Sequence, residues 1–571
     1  MRCDLILLHA PHVYDFRKLP QLYGPVSDLV PSTPAFEMYP MGFTSFAEYL
    51  GRFGYKVRII NLALRMVESK TFDVEKYISK LDAPLFGVDL HWLVHANGSI
   101  AFTEIIKKYH PDAKVVMGGF SASYFKDELI RYPSVDYVLS GDSTEEPMRM
   151  LVETYQNGDL STVPNLSWKK EDGTVVHNPM TNTPKDISNV MHEHYEGMIK
   201  QVLRFKDFKS ILPFKGWLKQ PETCVFSCRG CDQYCVFCGG SKYAMKKHSS
   251  RYETAYRTVD DIVNDIVRTS KISRGQIALE SDIRQAGEDF AWELLDRLEN
   301  EKIQNQIMFE VFWPTPTDYL TKLAKAVKNF SLDISPNSHD PKVRLATGIN
   351  YSNEDMEKMI GDALDLGVQR VEIFFMIGLP KQSKESVLET IDYCDELLTK
   401  FNSDKRIYTY IGPLSPFLDP GSMGYEEPEK HGYRLLRTTL EDYRNALNGP
   451  SWRYALNYET ELMTRDDIID VTYEAIMRLM QVKVKHGQLT EDLSKAQIQR
   501  IHMTQELEVK IAEAMKSGDS ENLLALKPQM DEINSFRSVQ QSQMDIAYSF
   551  VKLRYINGLI QTLKSMLQKK K

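Results

Sequence analysis

Five of the seven cysteines in this 571-residue chain, Cys224, Cys228, Cys231, Cys235 and Cys238, fall within one 15-residue stretch. A fold that crowds thiols this closely must either bridge them or give them a metal. The N-terminus, MRCDLILLHAPHVYDF, carries no cleavable export signal, because the apolar run Leu5–Leu8 is too short for one. The cysteine count is odd, and no apolar run reaches the roughly 18 residues of a membrane span. A cytoplasmic, reducing location is expected, which makes the cluster a metal or redox site before a disulfide framework. Cys3 and Cys394 stand apart and read as small buried residues.

At roughly 150 residues per folding unit the chain has room for three or four units. With 42% apolar residues it can build full cores. Its 70 basic and 78 acidic residues leave a net charge of −8 and no bias toward nucleic acid or an anionic membrane. Over residues 1–155, short apolar runs (Leu5–Leu8, Val57–Ile60, Leu85–Leu90, Val115–Met117, Tyr137–Leu139) alternate with amphipathic helical patterns. That alternation predicts a doubly wound α/β domain with a parallel sheet, whose ligands bind at the carboxyl ends of the strands. The proline- and aromatic-rich stretch Pro11–Pro40 is too long for an ordinary connection. Residues 156–214 read as a connecting segment that includes a hairpin turning at Asp172-Gly173.

Alternation returns over residues 215–425, with strands expected at Gln276–Leu279, Ile307–Phe312, Leu332–Ile334, Val371–Ile377 and Ile407–Ile411. This pattern predicts a full or partial (β/α) barrel. Residues 426–571 form a helical C-terminal extension, almost wholly helical after Pro450. Thr464 with Asp467 caps one helix, and Gly487 and Gly518 mark breaks. The extension is expected to cap the barrel, bind a protein partner or make a dimer. Its last stripe, Ile546, Phe550, Leu553, Ile560, Leu563 and Leu567 before three lysines, reads as packing, with a membrane-surface helix as the alternative.

From Cys231 the key segment reads C-x-x-x-C-x-x-C. Three thiolates on one loop can hold three irons of a cubane and leave the fourth open, as a chelating substrate requires. Cys224, Cys228 and Cys231 offer the same spacing. The later set is preferred because Arg229-Gly230 precedes it, Phe237 precedes its last cysteine and Gly239-Gly240 follows it. Cys224 and Cys228 then read as two reduced buried thiols. A zinc knot could draw on four of the five cysteines, but such knots rarely open a long βα series.

Arg-Gly-Cys-x-x-x-Cys-x-Phe-Cys-Gly-Gly ahead of a βα series resembles the cluster loop of radical S-adenosylmethionine (SAM) enzymes. The preceding doubly wound domain resembles that of the cobalamin-binding subclass of this superfamily, and the likeness covers roughly residues 1–425. The segments FFMIGLPKQS at 374–383 and IGPLSPFLDPGS at 411–422 look like late barrel strands of the subclass. The chain also resembles a family in which this pair of domains carries a helical C-terminal extension.

The resemblance implies a [4Fe–4S] cluster on Cys231, Cys235 and Cys238, with SAM chelating the open iron and releasing a 5′-deoxyadenosyl radical on reduction. By position, Gly239 and Gly240 would admit the SAM amino group and Phe237 would pack near adenine. Strand-end residues Glu280, Asp282, Glu310, Asp333, Ser335 and Asn337, together with Gly378, are candidates for further SAM contacts. Tyr408 and Tyr410 are candidates to face substrate. For cobalamin the candidate lining is Pro11, Pro40, Gly42, His91, Trp92, Gly118, Gly119, Ser121 and Gly141. The D-x-H-x-x-G motif of histidine-ligated corrinoid proteins is incomplete: Asp89-Leu90-His91 begins it, but Val94 holds the glycine position. Cobalt is therefore expected to lack a ligand from that motif, and His91 reads as a loop histidine satisfied locally, with approach to the lower face of the corrin as the alternative.

The implied reaction is methylation of an unactivated carbon on a small-molecule, lipid or peptide substrate, supplied with electrons by a low-potential donor. The rivals are a radical cyclase, oxidoreductase or carbon–carbon coupling enzyme, and a non-catalytic metal- or corrinoid-binding sensor. A methylthiotransferase fits less well, because only Cys3 precedes Cys224.

Overall fold

The five apolar runs of the first region become the parallel strands of one sheet. They are β1 (Leu5–His9), β2 (Val57–Asn61), β3 (Leu85–Asp89), β4 (Lys114–Gly118) and β5 (Tyr137–Leu139), in the order β2-β1-β3-β4-β5. The computed structural model describes residues 2–24, 37–188, 195–218, 221–414, 418–518, 520–535 and 560. β1 and β3 are buried along their whole length, because helices cover both faces and each face needs its own apolar set. Ile6, Leu8, Phe86 and Val88 pack into one core and Leu5, Leu7 and Leu85 into the other, following the two-residue period of a strand. Chain direction across the sheet reverses between β1 and β3, and the carboxyl ends of strands at such a point form a natural ligand crevice.

The hairpin expected in the connecting segment forms, with the Thr174 amide donating to Asp172 Oδ1 at 2.8 Å. Its strands, β6 (Leu166–Lys169) and β7 (Val175–His177), extend the first sheet, β6 antiparallel to β5 and β7 antiparallel to β6. The doubly wound unit thus runs to His177 rather than stopping at residue 155.

The second α/β unit is a six-stranded parallel sheet, the partial form of the barrel. It opens with β8 (Thr223–Phe226); the short pair β9 (Cys228–Arg229) and β10 (Ala255–Tyr256) follows. β11 (Ile277–Glu280), β12 (Ile307–Val311), β13 (Phe330–Asn337), β14 (Arg370–Ile377) and β15 (Ile407–Pro413) complete it in the order β15-β14-β13-β12-β11-β8. β8 was not foreseen, since its four residues merge into the cysteine segment. Leu279, Phe309, Leu332 and Ile373 occupy the apolar core. One residue further along β11 and β12, and adjacent on β13 and β14, Glu280, Glu310, Asp333 and Glu372 fall on the opposite, concave face.

The C-terminal extension contains one element that the sequence reading did not anticipate. β16 (Tyr433–Leu435) and β17 (Tyr458–Thr460) pair as a small antiparallel sheet, so the region after Pro450 is not helical throughout. The helix Arg465–Lys485 starts at the expected Thr464–Asp467 capping box and ends just before Gly487. It packs on the helix Lys384–Lys400 and on β15. The extension also reaches the first unit: Gln21 Nε2 donates to Leu447 O at 2.7 Å and the Leu440 amide to Glu128 Oε2 at 2.8 Å. It therefore clamps the two α/β units together. Of the terminal apolar stripe, only Ile560 lies within the described residues. No helix among those residues is long and apolar enough to cross a membrane.

Candidate active site between the two sheets

The cysteine loop leaves the carboxyl end of β8 and is fixed by hydrogen bonds from several parts of the barrel. The Asp232 amide donates to Gln285 Oε1 at 2.9 Å, the Val236 amide to Thr347 O at 3.1 Å and the Gly424 amide to Val236 O at 2.8 Å. Gly348 lets the loop come close, because a Cβ there would sit 2.7 Å from Tyr234 O. Cys231 Sγ accepts from the Gln233 amide at 3.4 Å and Cys238 Sγ from the Gly240 amide at 3.3 Å. All three cysteines are free. Burial pushes the Cys231 thiol up to about 12 and raises those of Cys235 and Cys238 as well. Such thiols give up their protons to a cationic metal centre, so the donor set suits one.

A single ion suits this loop less well. Four thiolates around one zinc would lie about 3.8 Å apart, from Zn–S bonds near 2.3 Å. Among the described residues, the only three histidine, cysteine or carboxylate ligand atoms within 4.8 Å of one another belong to His9, Asp89 and His91. No three of the cysteine sulfurs lie within 4.8 Å of one another among the described residues. Cys228 is buried in β9, its Sγ donating to Ser281 Oγ at 3.3 Å, and Cys224 lies within β8. Cys224 is half-buried, on the strand face opposite buried Val225, whereas Cys228 is buried.

Facing this loop is the carboxyl edge of the first sheet. An open cleft lies between the two units. His91, Trp92, Phe120, Ser121, Ser123 and Tyr124 line one side; Gly239, Gly240, Ala244, His248, Ser249, Asp419 and Pro420 line the other. Residues nominated separately for cobalamin (His91, Trp92, Ser121) and for SAM (Gly239, Gly240) thus share one cavity. Gly119 supports the cleft wall from behind. Its φ is +119°, and a Cβ there would lie 2.5 Å from His91 Cα and 2.6 Å from His91 N. Since that obstacle is backbone, Gly119→Ala should cost roughly 2–3 kcal/mol. We expect a fall of about 5–10 °C in the unfolding midpoint, measured by differential scanning fluorimetry, together with loss of cobalamin retention. Pro11, Gly42, Gly118 and Gly141 do not line the cleft; Gly118 pairs with Asp89 across β3 and β4, and Gly42 opens the helix Gly42–Arg52.

The barrel candidates separate into different roles. Asp282 is buried and saturated: it accepts from Arg284 Nε at 2.9 Å, Arg284 Nη2 at 2.6 Å and the Phe312 amide at 2.9 Å. Its carboxylate caps the turn that follows β11. Gly378 packs against the extension, where a Cβ would lie 2.2 Å from the Tyr458 hydroxyl. Phe237 lies in the barrel core, Ser335 is exposed, and buried Asn337 donates to Thr347 Oγ1 at 3.2 Å. Glu280, Glu310, Asp333 and Glu372 form one polar layer across the concave face. Burial and then the neighbouring Glu280 push Glu310 up to about 7; burial and then Glu372 push Asp333 well above the carboxylate range. Glu310 and Asp333 therefore hold their protons more tightly than ordinary carboxyls. Tyr410 donates to Glu372 Oε1 at 2.9 Å, and Arg370 lies over the Tyr408 ring at 3.7 Å.

Asp419 was missed because it sits in a stretch read only as a late strand. The Asp-Pro-Gly sequence just past β15 marks a strand-end turn at the chemical end of the barrel, and that signal could have found it. Its Oδ2 accepts from the Gly239 amide at 3.0 Å, and burial pushes its carboxyl up to about 6. Arg229, immediately before the loop, was read only as part of a motif. It forms a buried bidentate pair with Glu145 of the first unit, at 2.9 and 2.5 Å.

Comparison with known proteins agrees with this two-part site. Residues 28–149 match the B12 binding domain model, and residues 225–394 match the radical SAM superfamily model. Over 420 residues the chain is 23% identical to cytidylyl-2-hydroxyethylphosphonate methyltransferase of Streptomyces wedmorensis, spanning 63% of this chain and 73% of that protein. The fold is shared with the radical SAM methyltransferase TsrM of Kitasatospora setae, solved with cobalamin and a [4Fe-4S] cluster bound (TM-score 0.53, 16% identity, 77% and 81% of the two chains). It is shared also with the cobalamin-dependent radical SAM enzyme OxsB, solved with aqua-cobalamin and SAM (TM-score 0.52, 13% identity, 99% and 84%). The chain thus carries a match to the B12 binding domain followed by a match to the radical SAM superfamily, the domain pair of the cobalamin-binding-domain subclass it resembles.

Proposed function

We propose that this chain is a cobalamin-dependent radical SAM methyltransferase acting on an unactivated carbon. The observation that carries the reading is the single cleft shared by the carboxyl edge of the B12-binding domain and the Gly239-Gly240 end of the cysteine loop. Methyl transfer needs a methyl carrier and a radical source to meet at one substrate atom, and this cleft gives them a common wall. The likeness to a phosphonate methyltransferase favours methylation over cyclisation or coupling.

In this reading Cys231, Cys235 and Cys238 hold the cluster, which supplies one electron at an iron open to SAM, while cobalamin supplies the methyl group. The protein's own residues position and shield. Gly239 and Gly240 line the cleft, with the Gly239 amide held by Asp419 and the Gly240 amide by Cys238 Sγ. Trp92 and Phe120 wall the opposite side of the cleft, and the carboxylate layer of the barrel faces the space beyond the loop. Asp419 fixes the Gly239 amide with a charge-assisted hydrogen bond worth about 1.5–3 kcal/mol. Asp419→Ala should then slow SAM cleavage by roughly 10–100-fold, and Asp419→Asn, which keeps an acceptor oxygen, should retain most of it; a 5′-deoxyadenosine assay checks both. The buried thiols fit a reducing compartment, and we place the enzyme in the cytoplasm with a low-potential electron donor.

The test is anaerobic turnover of the reconstituted chain with SAM carrying a deuterated methyl group and a strong reductant. Both 5′-deoxyadenosine and S-adenosylhomocysteine are expected by mass spectrometry. 5′-Deoxyadenosine alone would move the reading to radical chemistry without methyl transfer. Neither product from protein with a verified cluster would favour the binding-protein rival.

A further inference from the structure

His91 stands at the cleft wall, just past the carboxyl end of β3, with its side chain 27% exposed. Its Nδ1 lies 2.6 Å from Asp89 Oδ2, and His9 Nδ1 lies 3.0 Å from Asp89 Oδ1. A carboxylate only accepts, so both Nδ1 atoms carry the proton and the lone pair of His91 is on Nε2. His9 is fully buried behind it, whereas His91 opens on the cleft, and Nε2 has no hydrogen-bond partner among the described residues.

The imidazole is held from several directions. The rings of His9 and His95 lie 5.9 and 4.9 Å from its centroid, and His95 Nδ1 is 3.1 Å from Ala10 O. Gly119 lets the following helix press on the His91 backbone, and the Ala122 amide holds Leu90 O at 3.0 Å. A histidine that gives one ring N–H to a buried carboxylate and offers the other nitrogen to a cavity has the arrangement of a metal-ligating histidine with its supporting carboxylate. The orientation is set before any ligand arrives.

We propose that His91 Nε2 is the lower axial ligand of cobalt when cobalamin occupies the cleft, with Asp89 fixing the tautomer. This corrects the expectation of a locally satisfied loop histidine: Nδ1 is satisfied and Nε2 is not. The proposal rests on the cobalamin reading above, but it fails separately from it.

The experiment is electron paramagnetic resonance of the full-length protein with cobalamin bound and poised in its Co(II) state. An axial nitrogen splits each cobalt line into three, and ¹⁵N reduces the three to two. Three lines are expected from unlabelled protein and two from protein grown with ¹⁵N-imidazole histidine. His91→Ala should retain the corrin absorbance and lose the splitting. A spectrum without nitrogen splitting would overturn the proposal and leave the cobalamin reading intact. So would three lines that persist in the labelled protein, which would place the corrinoid's own base on cobalt, or splitting that survives His91→Ala. Should His91→Ala shed its cobalamin, the labelled native chain decides alone. Native protein that retains no cobalamin would overturn both the proposal and the reading beneath it.

Discussion

Replacing any one of Cys231, Cys235 and Cys238 with alanine is expected to abolish SAM cleavage, by at least about 10³-fold, or roughly 4 kcal/mol of barrier. Alanine at Cys224 or Cys228 should leave the cluster and its chemistry in place. The contrast follows from placement. The first three lie on a loop whose backbone is tied to Gln285, Thr347 and Gly424 and whose end lines the cleft. Cys224 is held within β8 opposite Ala278, and Cys228 in β9 opposite Tyr256, its Sγ bonded to Ser281. Iron and sulfide content, charge-transfer absorbance and 5′-deoxyadenosine yield measure the outcome together. A Cys224→Ala protein without a cluster would show that the earlier register is the operative one.

The second large effect is expected at Arg229–Glu145, which joins the residue before the cluster loop to the B12-binding domain. The side chains are 13% and 3% exposed, and Glu145 also accepts from Ser45 Oγ at 2.6 Å. Removing one partner strands a buried charge at a cost of about 3–5 kcal/mol. Glu145→Ala should therefore lower the unfolding midpoint sharply and loosen the contact between the two units, as limited proteolysis would reveal. The apolar double variant Arg229→Met/Glu145→Leu should recover most of the stability, because it leaves no charge unpaired, yet cleave SAM more slowly, because the loop loses its tether. Burial raises the Glu145 carboxyl, but the Arg229 charge and the hydrogen bonds outweigh it and hold it below its ordinary value. A depressed carboxyl stabilises the fold above the unfolded-state value, near 4.3, and that stabilisation is lost as pH falls through the depressed folded value. The pair should be equally effective at pH 6 and pH 8 and weaken only in acid. An unchanged midpoint in Glu145→Ala would show that the pair does not hold the units together.

Much of the architecture was legible because it rests on local periodicity. Both α/β units, the hairpin at Asp172-Gly173 and the Thr464–Asp467 cap depend on residues a few positions apart. β8 was not legible because four residues next to a cysteine segment carry no period of their own. The small β16–β17 sheet escaped for the same reason: each strand has three residues and meets its partner across more than one intervening helix. At the site, the cysteine spacing and the loops of the first sheet point to surfaces that share one cleft. Which strand-end residues face the cleft was decided by tertiary contacts. Asp282 is tied to the Phe312 amide and Gly378 lies against Tyr458, partners far away in sequence. Asp419 and Arg229 acquire their meaning only from partners far away in sequence, Gly239 and Glu145.

The most direct test of a shared cofactor cleft is a crystal structure of the anaerobically reconstituted chain with cobalamin and SAM. The expected result is a corrin ring against His91, Trp92 and Ser121, with the cluster on Cys231, Cys235 and Cys238 and SAM reaching the same cavity past Gly239 and Gly240. A corrin bound elsewhere, or a cluster on Cys224, Cys228 and Cys231, would contradict it.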